Sequence, residues 1–325
     1  MTNSATQAAP AAARKKPSPI IESEPVMAAK RRLGLITLWV PTIGTVIAIA
    51  TAFIWGIGAL EIGLLIGMYV LTMAGVEVSF HRQLSHKAFE SKPWLRYFLA
   101  VAGCMAAQGG PVYWVATHRR HHVHSDTPED PHSPHYRIGK KGGERMGRSK
   151  GLWYAQVGNM YEGLPTNCTL FARDMIRDPM ISRINRSYRF WIVVGLLIPT
   201  VLGGVISGTW LGALSGLLWG GFVRMFVVHH IYYANGSFSH MYGGQPYDNK
   251  DFSTNNPVFA VPTFGSAYQN NHHAFPRSAL LGFRWYQPDV GMAFIRLFRW
   301  LGLAWNVNVP SKEQIESRRK RVQHA

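Results

Sequence analysis

The sequence predicts an all-α integral membrane protein, in which four transmembrane helices are capped by a cytoplasmic helical domain that holds a di-metal histidine site. Three features of the 325 residues lead to this prediction: two long apolar tracts, a one-sided distribution of Lys and Arg, and histidine clusters that follow the apolar tracts.

Each apolar tract is long enough for two membrane crossings. Residues 33–80 contain no Lys or Arg and only two acidic residues, Glu61 and Glu77, and residues 190–223 contain no charged residue. A helix needs about 20 apolar residues to cross the hydrocarbon core, so each tract accommodates two helices joined by a tight turn. We therefore predict spans over residues 36–59, 62–80, 190–207 and 211–232.

The basic residues predict which side of the membrane the polar segments occupy. The turns between paired spans, near residues 60–61 and 208–210, carry no Lys or Arg. The 34 basic residues therefore fall almost wholly in three polar segments, which the positive-inside rule places in the cytoplasm together with both termini. The net charge of +17 then matches a surface beside anionic lipid headgroups, and nucleic-acid binding is the weaker interpretation.

The two ends of the chain differ in composition from the apolar body. Residues 1–32 are rich in Ala, Ser, Pro and basic residues and lack the apolar core of a signal peptide, so we predict a disordered basic arm. The membrane domain is predicted over residues 33–310, and a basic tail over residues 311–325. Within the middle segment, residues 94–105 carry apolar side chains at helical spacing, which predicts a helix against the membrane or the bundle.

Histidines form four clusters, each at or beyond the cytoplasmic end of a predicted span. The clusters are His81 with His86, His118 with His121 and His122, His229 with His230 and His240, and His272 with His273. The second cluster has the spacing i, i+3, i+4 of one helical face, and a helix that ends or loosens near His81 could aim both rings of the first at one point. We expect the clusters to meet. For His124, His132 and His135, we expect support of the ligands or a place on the surface.

The number and type of these side chains restrict the metal. Roughly eight or nine imidazoles exceed what one ion uses, so we predict two ions, and the two cysteines offer no Cys-rich site. Nitrogen ligands suit iron, copper or zinc. Iron with open positions activates dioxygen whereas zinc does no oxygen chemistry, but the spacing alone does not choose between them.

Three motifs resemble the histidine boxes of the membrane-bound acyl-CoA desaturases of the stearoyl-CoA type. They are "FHRQLSHKAF", "WVATHRRHHVHSDTPEDPHSPH" and "NNHHAFP". The segments "GLLWGGFVRMFVVHH", "RWYQPDV" and "RWLGLAWNV" are similar to bacterial members of this family. The resemblance covers residues 62–310 and implies a multi-pass protein of a bacterial cytoplasmic membrane.

The resemblance also implies a chemistry and its ligands. Two iron ions would react with dioxygen as co-substrate and remove hydrogen from neighbouring carbons of a long acyl chain in a buried tunnel. A ferredoxin or cytochrome-type protein would supply the electrons, and the chain would be carried by CoA, acyl carrier protein or a lipid. By position, the iron ligands would be His81, His86, His118, His121, His122, His240, His272 and His273.

Two departures from the family pattern fall near the metal ligands, one at the start of the third motif and one before His240. Gln269 stands where the third box normally begins with a histidine ligand. Gly236 stands four residues before His240, where an asparagine usually holds a metal-bound water, and Asn235 is shifted by one position.

A third departure is Glu77, which replaces a small residue or threonine. Glu77 lies one helical turn before His81 and shares its face. A carboxylate at the end of a span is costly unless it is paired, hydrated or metal-bound. Glu77 would therefore replace or supplement the missing imidazole, with Gln269 as a weak oxygen ligand or a donor to the ligands. The alternative is that Glu77 pairs with an arginine or with water.

These observations predict an oxygen-dependent diiron oxidoreductase that desaturates a long acyl chain. The alternatives are an acyl or hydrocarbon hydroxylase with the same site, and a metal-binding membrane protein without turnover. The basic, glycine-rich loop over residues 137–150 is either a solvated connector or a docking site for an acidic headgroup, carrier protein or electron donor.

Overall fold

The computed structural model describes residues 17–138 and 143–320, which are mostly helical. The α-helices are α1 (Glu24–Trp55), α2 (Ala59–Ala74), α3 (Pro93–Met105), α4 (Pro111–His124), α5 (Arg148–Trp153), α6 (Asn159–Glu162), α7 (Cys168–Phe171), α8 (Arg173–Arg177), α9 (Pro179–Arg186), α10 (Tyr188–Ser207), α11 (Trp210–Gly216), α12 (Arg224–Gly236), α13 (Gln269–Ala274), α14 (Val290–Trp300) and α15 (Lys312–Ser317). π-Helical segments cover Gly75–Ser85, Tyr154–Gly158 and Leu217–Val223, and a 3₁₀ turn covers Phe238–His240. Four short strands are β1 (Glu90–Ser91), β2 (Tyr136–Arg137), β3 (Glu144–Arg145) and β4 (Ala304–Trp305).

Four continuous helical stretches are long and apolar enough to cross a membrane, which confirms the predicted number of spans. They are Glu24–Trp55, Ala59–Ser85, Tyr188–Ser207 and Trp210–His240. Their outer faces carry exposed apolar side chains, among them Phe53 at 88% and Val205 at 74% exposure. Such a surface suits lipid, because a helix satisfies its own backbone hydrogen bonds and leaves only apolar side chains facing outward.

The first hairpin differs from its predicted bounds at both ends. Its first helix begins at Glu24, so residues 24–32, which were assigned to the arm, are helical. Residues 1–16 of the predicted arm and residues 321–325 of the predicted tail lie outside the described residues. The turn falls at Gly56 to Gly58, because Gly56 adopts a left-handed φ of 77° that favours glycine. Glu61, which was expected in the turn, accepts from Gly58 N–H at 2.9 Å and caps α2.

The polar segments gather at one end of this bundle. Near the start of α1, Lys30 donates to the carbonyls of Asn159 and Gly163, at 2.6 and 2.9 Å. At the start of α10, the Tyr188 hydroxyl accepts from Gly109 N–H at 2.7 Å. The second and fourth spans end at the same place, so the segments between and after the spans form one cap. Its side of the membrane remains a prediction.

Close helix contacts hold the cap against the spans. A Cβ at Gly75 would lie 2.1 Å from the backbone nitrogen of Gly103, so the second span and α3 meet backbone to backbone. In the hairpin of α10 and α11, a Cβ at Gly203 would lie 2.2 Å from the carbonyl oxygen of Gly212. The Gly75 contact fixes the end of the second span relative to α3, and the Gly203 contact joins the third and fourth spans near their turn.

A buried ion pair ties the second span to the C-terminal part of the cap. Arg82 is 1% exposed and donates to Asp289 at 2.9 Å, and it also donates to the carbonyls of Phe264 and Ala279. A buried guanidinium needs acceptors for its N–H groups, and these three contacts supply them for both terminal nitrogens of Arg82. Pairing of β1 with β4 adds a second link between the start of α3 and the end of α14.

Candidate metal centre

Five imidazoles from three parts of the chain form a first group. Its members, all with a ring nitrogen within 4.8 Å of the others, are His81, His86, His118, His122 and His272. The Nε2 atom of His272 lies 3.0 Å from that of His81 and 2.9 Å from that of His122. The Nε2 atom of His118 lies 2.7 Å from that of His86. The rings therefore converge on one point.

The π-helix at the end of the second span explains how two of these rings meet. His81 and His86 are five residues apart, which an α-helix would place on different faces. In the π-helix, His86 N–H donates to the His81 carbonyl at 3.3 Å, so residues i and i+5 stack on one face and the ring centroids lie 5.1 Å apart. The loosened helix that the sequence analysis considered at this point is thus present.

Three further imidazoles form a second group beside the first. They are His121 of α4, His240 of the 3₁₀ turn and His273 of α13, and their nitrogens again lie within 4.8 Å of one another. The Nε2 atoms of His240 and His273 are buried without a hydrogen-bond partner among the described residues. Unpartnered buried nitrogens that face each other are expected of metal ligands, because a buried polar atom otherwise finds a partner.

Each imidazole of the second group is held from behind by an aspartate. The Nδ1–H groups of the three rings donate to carboxylates in three contacts: His121 to Asp130 at 3.0 Å, His240 to Asp126 at 2.7 Å, and His273 to Asp251 at 2.5 Å. Such a contact fixes the tautomer and turns Nε2 towards the metal. The carboxylates are themselves anchored; Asp126, for example, accepts from Ser133 Oγ and Phe252 N–H.

Burial and mutual repulsion keep these rings in the form that binds metal. Burial holds the pKa of His118, His122 and His272 well below the usual histidine range, and the neighbouring imidazoles lower it further. The pKa of His273 falls to about 4 because burial outweighs the attraction of Asp251. Neutral imidazole is the ligand form, so these four rings are ready for metal at neutral pH.

The spacing of the first group fits a transition metal. A metal–imidazole bond of about 2.1 Å places adjacent ligands of an octahedron about 3.0 Å apart. The measured Nε2 separations of 2.7 to 3.1 Å match this value. The described residues therefore offer two metal positions built from imidazoles alone, one with five rings and one with three, and the second leaves more positions free for other ligands.

The two predicted site residues that are not histidines, Glu77 and Gln269, lie in different surroundings. Glu77 is fully buried and its Oε2 lies 3.0 Å from His81 Nδ1, on the side of the ring that faces away from the first group. The Ser266 hydroxyl donates to the same oxygen. Gln269 is 5% exposed and is the first residue of α13, three residues before His272.

The fourth span contributes one of its three histidines. His240 joins the second group, but His229 donates from Nε2 to the Ala106 carbonyl at 2.7 Å, at the end of α3. His230 contacts Gln156, whose amide donates to the His230 carbonyl at 2.9 Å. The expectation that this whole cluster reaches the metals is therefore wrong for His229 and His230, because both lie within α12, two or three turns before the span ends.

The remaining histidines lie outside the two imidazole groups, although His132 forms a third possible metal-binding group with His121 and Asp130. His132 stacks on His121 with ring centroids 4.5 Å apart, and its Nδ1 lies 3.9 Å from Asp130. His135 donates to the His240 carbonyl at 2.8 Å. His124 packs near Phe171.

Sequence reasoning missed the carboxylates that hold the second group. Asp126 and Asp130 follow α4 in a turn, and Asp251 lies in a loop before α13. Loop residues have no periodicity that would aim them at a ring. The available signal was the pair of aspartates directly after the second histidine motif, since metal-bound imidazoles commonly donate to carboxylates.

Comparison with known proteins gives a consistent set of relatives. A family model described as fatty acid desaturase matches residues 55–289. A hex-5-enoyl-[acyl-carrier protein] acetylenase of Moorena producens is 46% identical over 307 residues, which cover 94% of this chain and 95% of that protein. An sn-1 stearoyl-lipid 9-desaturase of Anabaena variabilis is 35% identical over 78% of this chain and 86% of its own length. The Delta-9 acyl-lipid desaturase 1 of Arabidopsis thaliana is 34% identical over 79% and 77%, respectively.

Proposed function

The chain belongs to the fatty acid desaturase family, and from this we propose that it is a diiron membrane enzyme that uses dioxygen to introduce a double bond into an acyl chain. The observation that carries the proposal is the pair of imidazole groups, whose rings are buried or half-buried and converge on two points. Five and three imidazoles without a thiolate suit iron with open positions.

The residues around those two positions would have different roles in the reaction. The two imidazole groups would hold two iron ions, which with dioxygen and two electrons would supply the oxidation that removes two hydrogens from neighbouring carbons. The three aspartates fix the tautomers of the second group, whose three imidazoles would leave an ion free to take further ligands. The buried surroundings exclude bulk water, which would otherwise intercept a reactive oxidant.

The acyl chain would approach from the apolar side of the first group. Trp114, one turn before His118, stacks on that ring with centroids 5.2 Å apart and lies 5.7 Å from Phe80 and 5.6 Å from Tyr232. These aromatic side chains form a wall between the imidazoles and the spans. A hydrocarbon chain that lies along this wall would meet the metals without contacting charged groups.

A second candidate reaction is the formation of a triple bond from an existing double bond. The relative from Moorena producens is named as an acetylenase of a six-carbon acyl group on acyl carrier protein, and it matches nearly the whole chain. The same removal of two hydrogens, applied to an alkene, gives an alkyne. We therefore include short acyl groups on carrier protein with the long chains on CoA or lipid that the sequence analysis favoured.

The proposal includes a setting for the enzyme. The basic segments and the single cap support a cytoplasmic location of the cap and of both termini in a bacterial membrane. Ferredoxin or a cytochrome-type protein would deliver the electrons from that side.

The test is mass spectrometry of acyl products made with a working electron donor. An aerobic host would express the chain with a ferredoxin and its reductase. The control is a variant with His272→Ala and His273→Ala. In a second experiment, purified enzyme would be incubated with hexanoyl- and hex-5-enoyl-carrier protein. We expect a product lighter by two hydrogens that is absent from the variant. An alkene indicates desaturation, and an alkyne indicates the second candidate. A hydroxylated product, or no product while the donor reduces the metals, would overturn the proposal.

A further inference from the structure

Glu77 is a buried carboxylate that no Lys or Arg among the described residues balances. It is fully buried in the π-helix at the end of the second span. Among the described residues its one ion-pair partner is His81, at 3.0 Å, and its Oε1 atom has no hydrogen-bond partner. The nearest arginine along the chain, Arg82, is committed to Asp289.

Such a group needs a positive charge nearby. An unpaired carboxylate loses its hydration on burial, and the cost exceeds what one hydroxyl donor, that of Ser266, returns. The His81 ring lies between the Glu77 carboxylate and the rest of the first group, because its Nδ1 faces Glu77 while its Nε2 lies 3.0 Å from His272 Nε2. A cation held by the five imidazoles would therefore face Glu77 through a single ring.

We propose that Glu77 is the counter-charge and positioning residue of the five-imidazole metal position, acting through His81 rather than as a ligand. This inference rests on the proposed metal centre. Glu77 accepts the Nδ1–H of His81 and so fixes the tautomer that directs Nε2 to the metal. It gives the first group the kind of carboxylate support that the second group receives from Asp126, Asp130 and Asp251.

The geometry separates this role from the hypothesis that Glu77 replaces the missing imidazole. The two nitrogens of an imidazole ring point in different directions, and Glu77 contacts the one that faces away from the first group. The position with few imidazoles is the second group, which contains His121 and not His81. Glu77 therefore supports the group that already has most ligands.

The experiment is a metal titration of the full chain in detergent after chelation. A His240→Gln background weakens the second position, so that Co²⁺ binding in competition with a chelator reports the first. Adding Glu77→Gln keeps the size of the side chain and removes its charge. We expect a drop of about 10- to 100-fold in Co²⁺ affinity, the range seen when outer partners of metal ligands are changed.

Two further readouts distinguish a positioning role from ligation and from a purely structural one. X-ray absorption of the Co²⁺ protein should give the same number of nitrogen neighbours with and without Glu77→Gln, and loss of an oxygen neighbour would overturn the inference. In metal-free protein, Glu77→Gln should unfold at the same temperature or higher, because a buried charge has been removed. A lower unfolding temperature with unchanged Co²⁺ affinity would also overturn it.

The matched control is Glu61→Gln. Glu61 starts the same span and also accepts from a serine, Ser215, at 2.7 Å, but it lies at the end away from the cap. We expect its Co²⁺ affinity to equal that of the background. If the Glu77→Gln protein cannot be recovered, Glu77→Asp withdraws the carboxylate from His81, and an unchanged affinity there would overturn the inference.

The outcome does not depend on turnover. A chain that binds Co²⁺ more weakly without the Glu77 charge supports this inference even if no acyl product is found. Equal affinities would overturn it and leave the proposed desaturation untouched.

Discussion

The ion pair between Arg82 and Asp289 offers the largest stability effect that the structure predicts outside the metal ligands. Asp289 accepts from Arg82 at 2.9 Å, from Leu281 N–H at 2.7 Å and from Met292 N–H at 2.8 Å, where it caps α14. Asp289→Ala removes all three contacts and leaves a guanidinium that is 1% exposed facing only carbonyls.

The magnitude follows from the two parts of this loss. Removing one partner of a buried ion pair costs about 3 to 5 kcal/mol. Loss of a helix N-cap adds about 1 kcal/mol. The free energy of unfolding should therefore fall by about 4 to 6 kcal/mol in Asp289→Ala. It should fall by less in Asp289→Asn, whose side-chain oxygen can still cap α14.

Unfolding in mixed detergent micelles at increasing denaturant measures this difference. Glu316→Gln is the comparison, because Glu316 pairs with Arg284 at 2.9 Å at the surface, where an ion pair contributes about 0 to 1 kcal/mol. Metal retention should fall with stability in Asp289→Ala, since Arg82 follows His81 directly. If Asp289→Ala costs no more than Glu316→Gln, the argument that this pair fixes the end of the second span is refuted.

Four other predictions test the helix contacts, the ligand assignment and the charges. Gly75→Ala should destabilise the protein by about 1 to 3 kcal/mol, as overpacking does, whereas Gly63→Ala in the same span has nothing within 4 Å and should be neutral or stabilising in the same unfolding assay. Elemental analysis should find one metal ion fewer in His240→Gln but no loss in His229→Gln; equal losses would contradict the assignment. Asp126→Asn should weaken the second position about 10- to 100-fold in chelator competition, and an unchanged affinity would remove its role. Because burial depresses the pKa of His118 and His272, the unfolded chain binds more protons below about pH 6.5, and metal-free protein should lose stability as the pH falls through that value. A flat unfolding temperature between pH 7 and 5 would contradict this.

The number of spans could be predicted because it depends on a local property, the length of apolar sequence needed to cross a bilayer. Their bounds could not be predicted in the same way. The start of α1 at Glu24 depends on Pro25 in its first turn and on Lys30 reaching the carbonyl of Gly163. The end of α1 depends on the geometry of the turn at Gly56. A hydropathy profile contains no information about either bound.

The candidate ligands could be identified from motifs, but their division into groups could not. His118, His121 and His122 share one helical face in the sequence analysis, yet His121 serves the second group and the other two serve the first. A helical face is wide enough to face two points, and only the positions of His272 and His273 on α13 decide which ring goes where.

This division explains why neighbouring histidines occur twice among the ligands. His121 and His122 are adjacent in α4, and His272 and His273 are adjacent in α13; in each pair one ring faces each group. Consecutive Cα atoms are about 3.8 Å apart whatever the packing around them. The two ring centroids are 5.7 Å apart in both pairs. The backbone therefore limits the separation between the two imidazole groups at two independent places, and a shift of α4 or α13 moves one candidate ligand of each group together. A substitution that displaces either helix should consequently weaken both positions, whereas loss of one aspartate should weaken only the second.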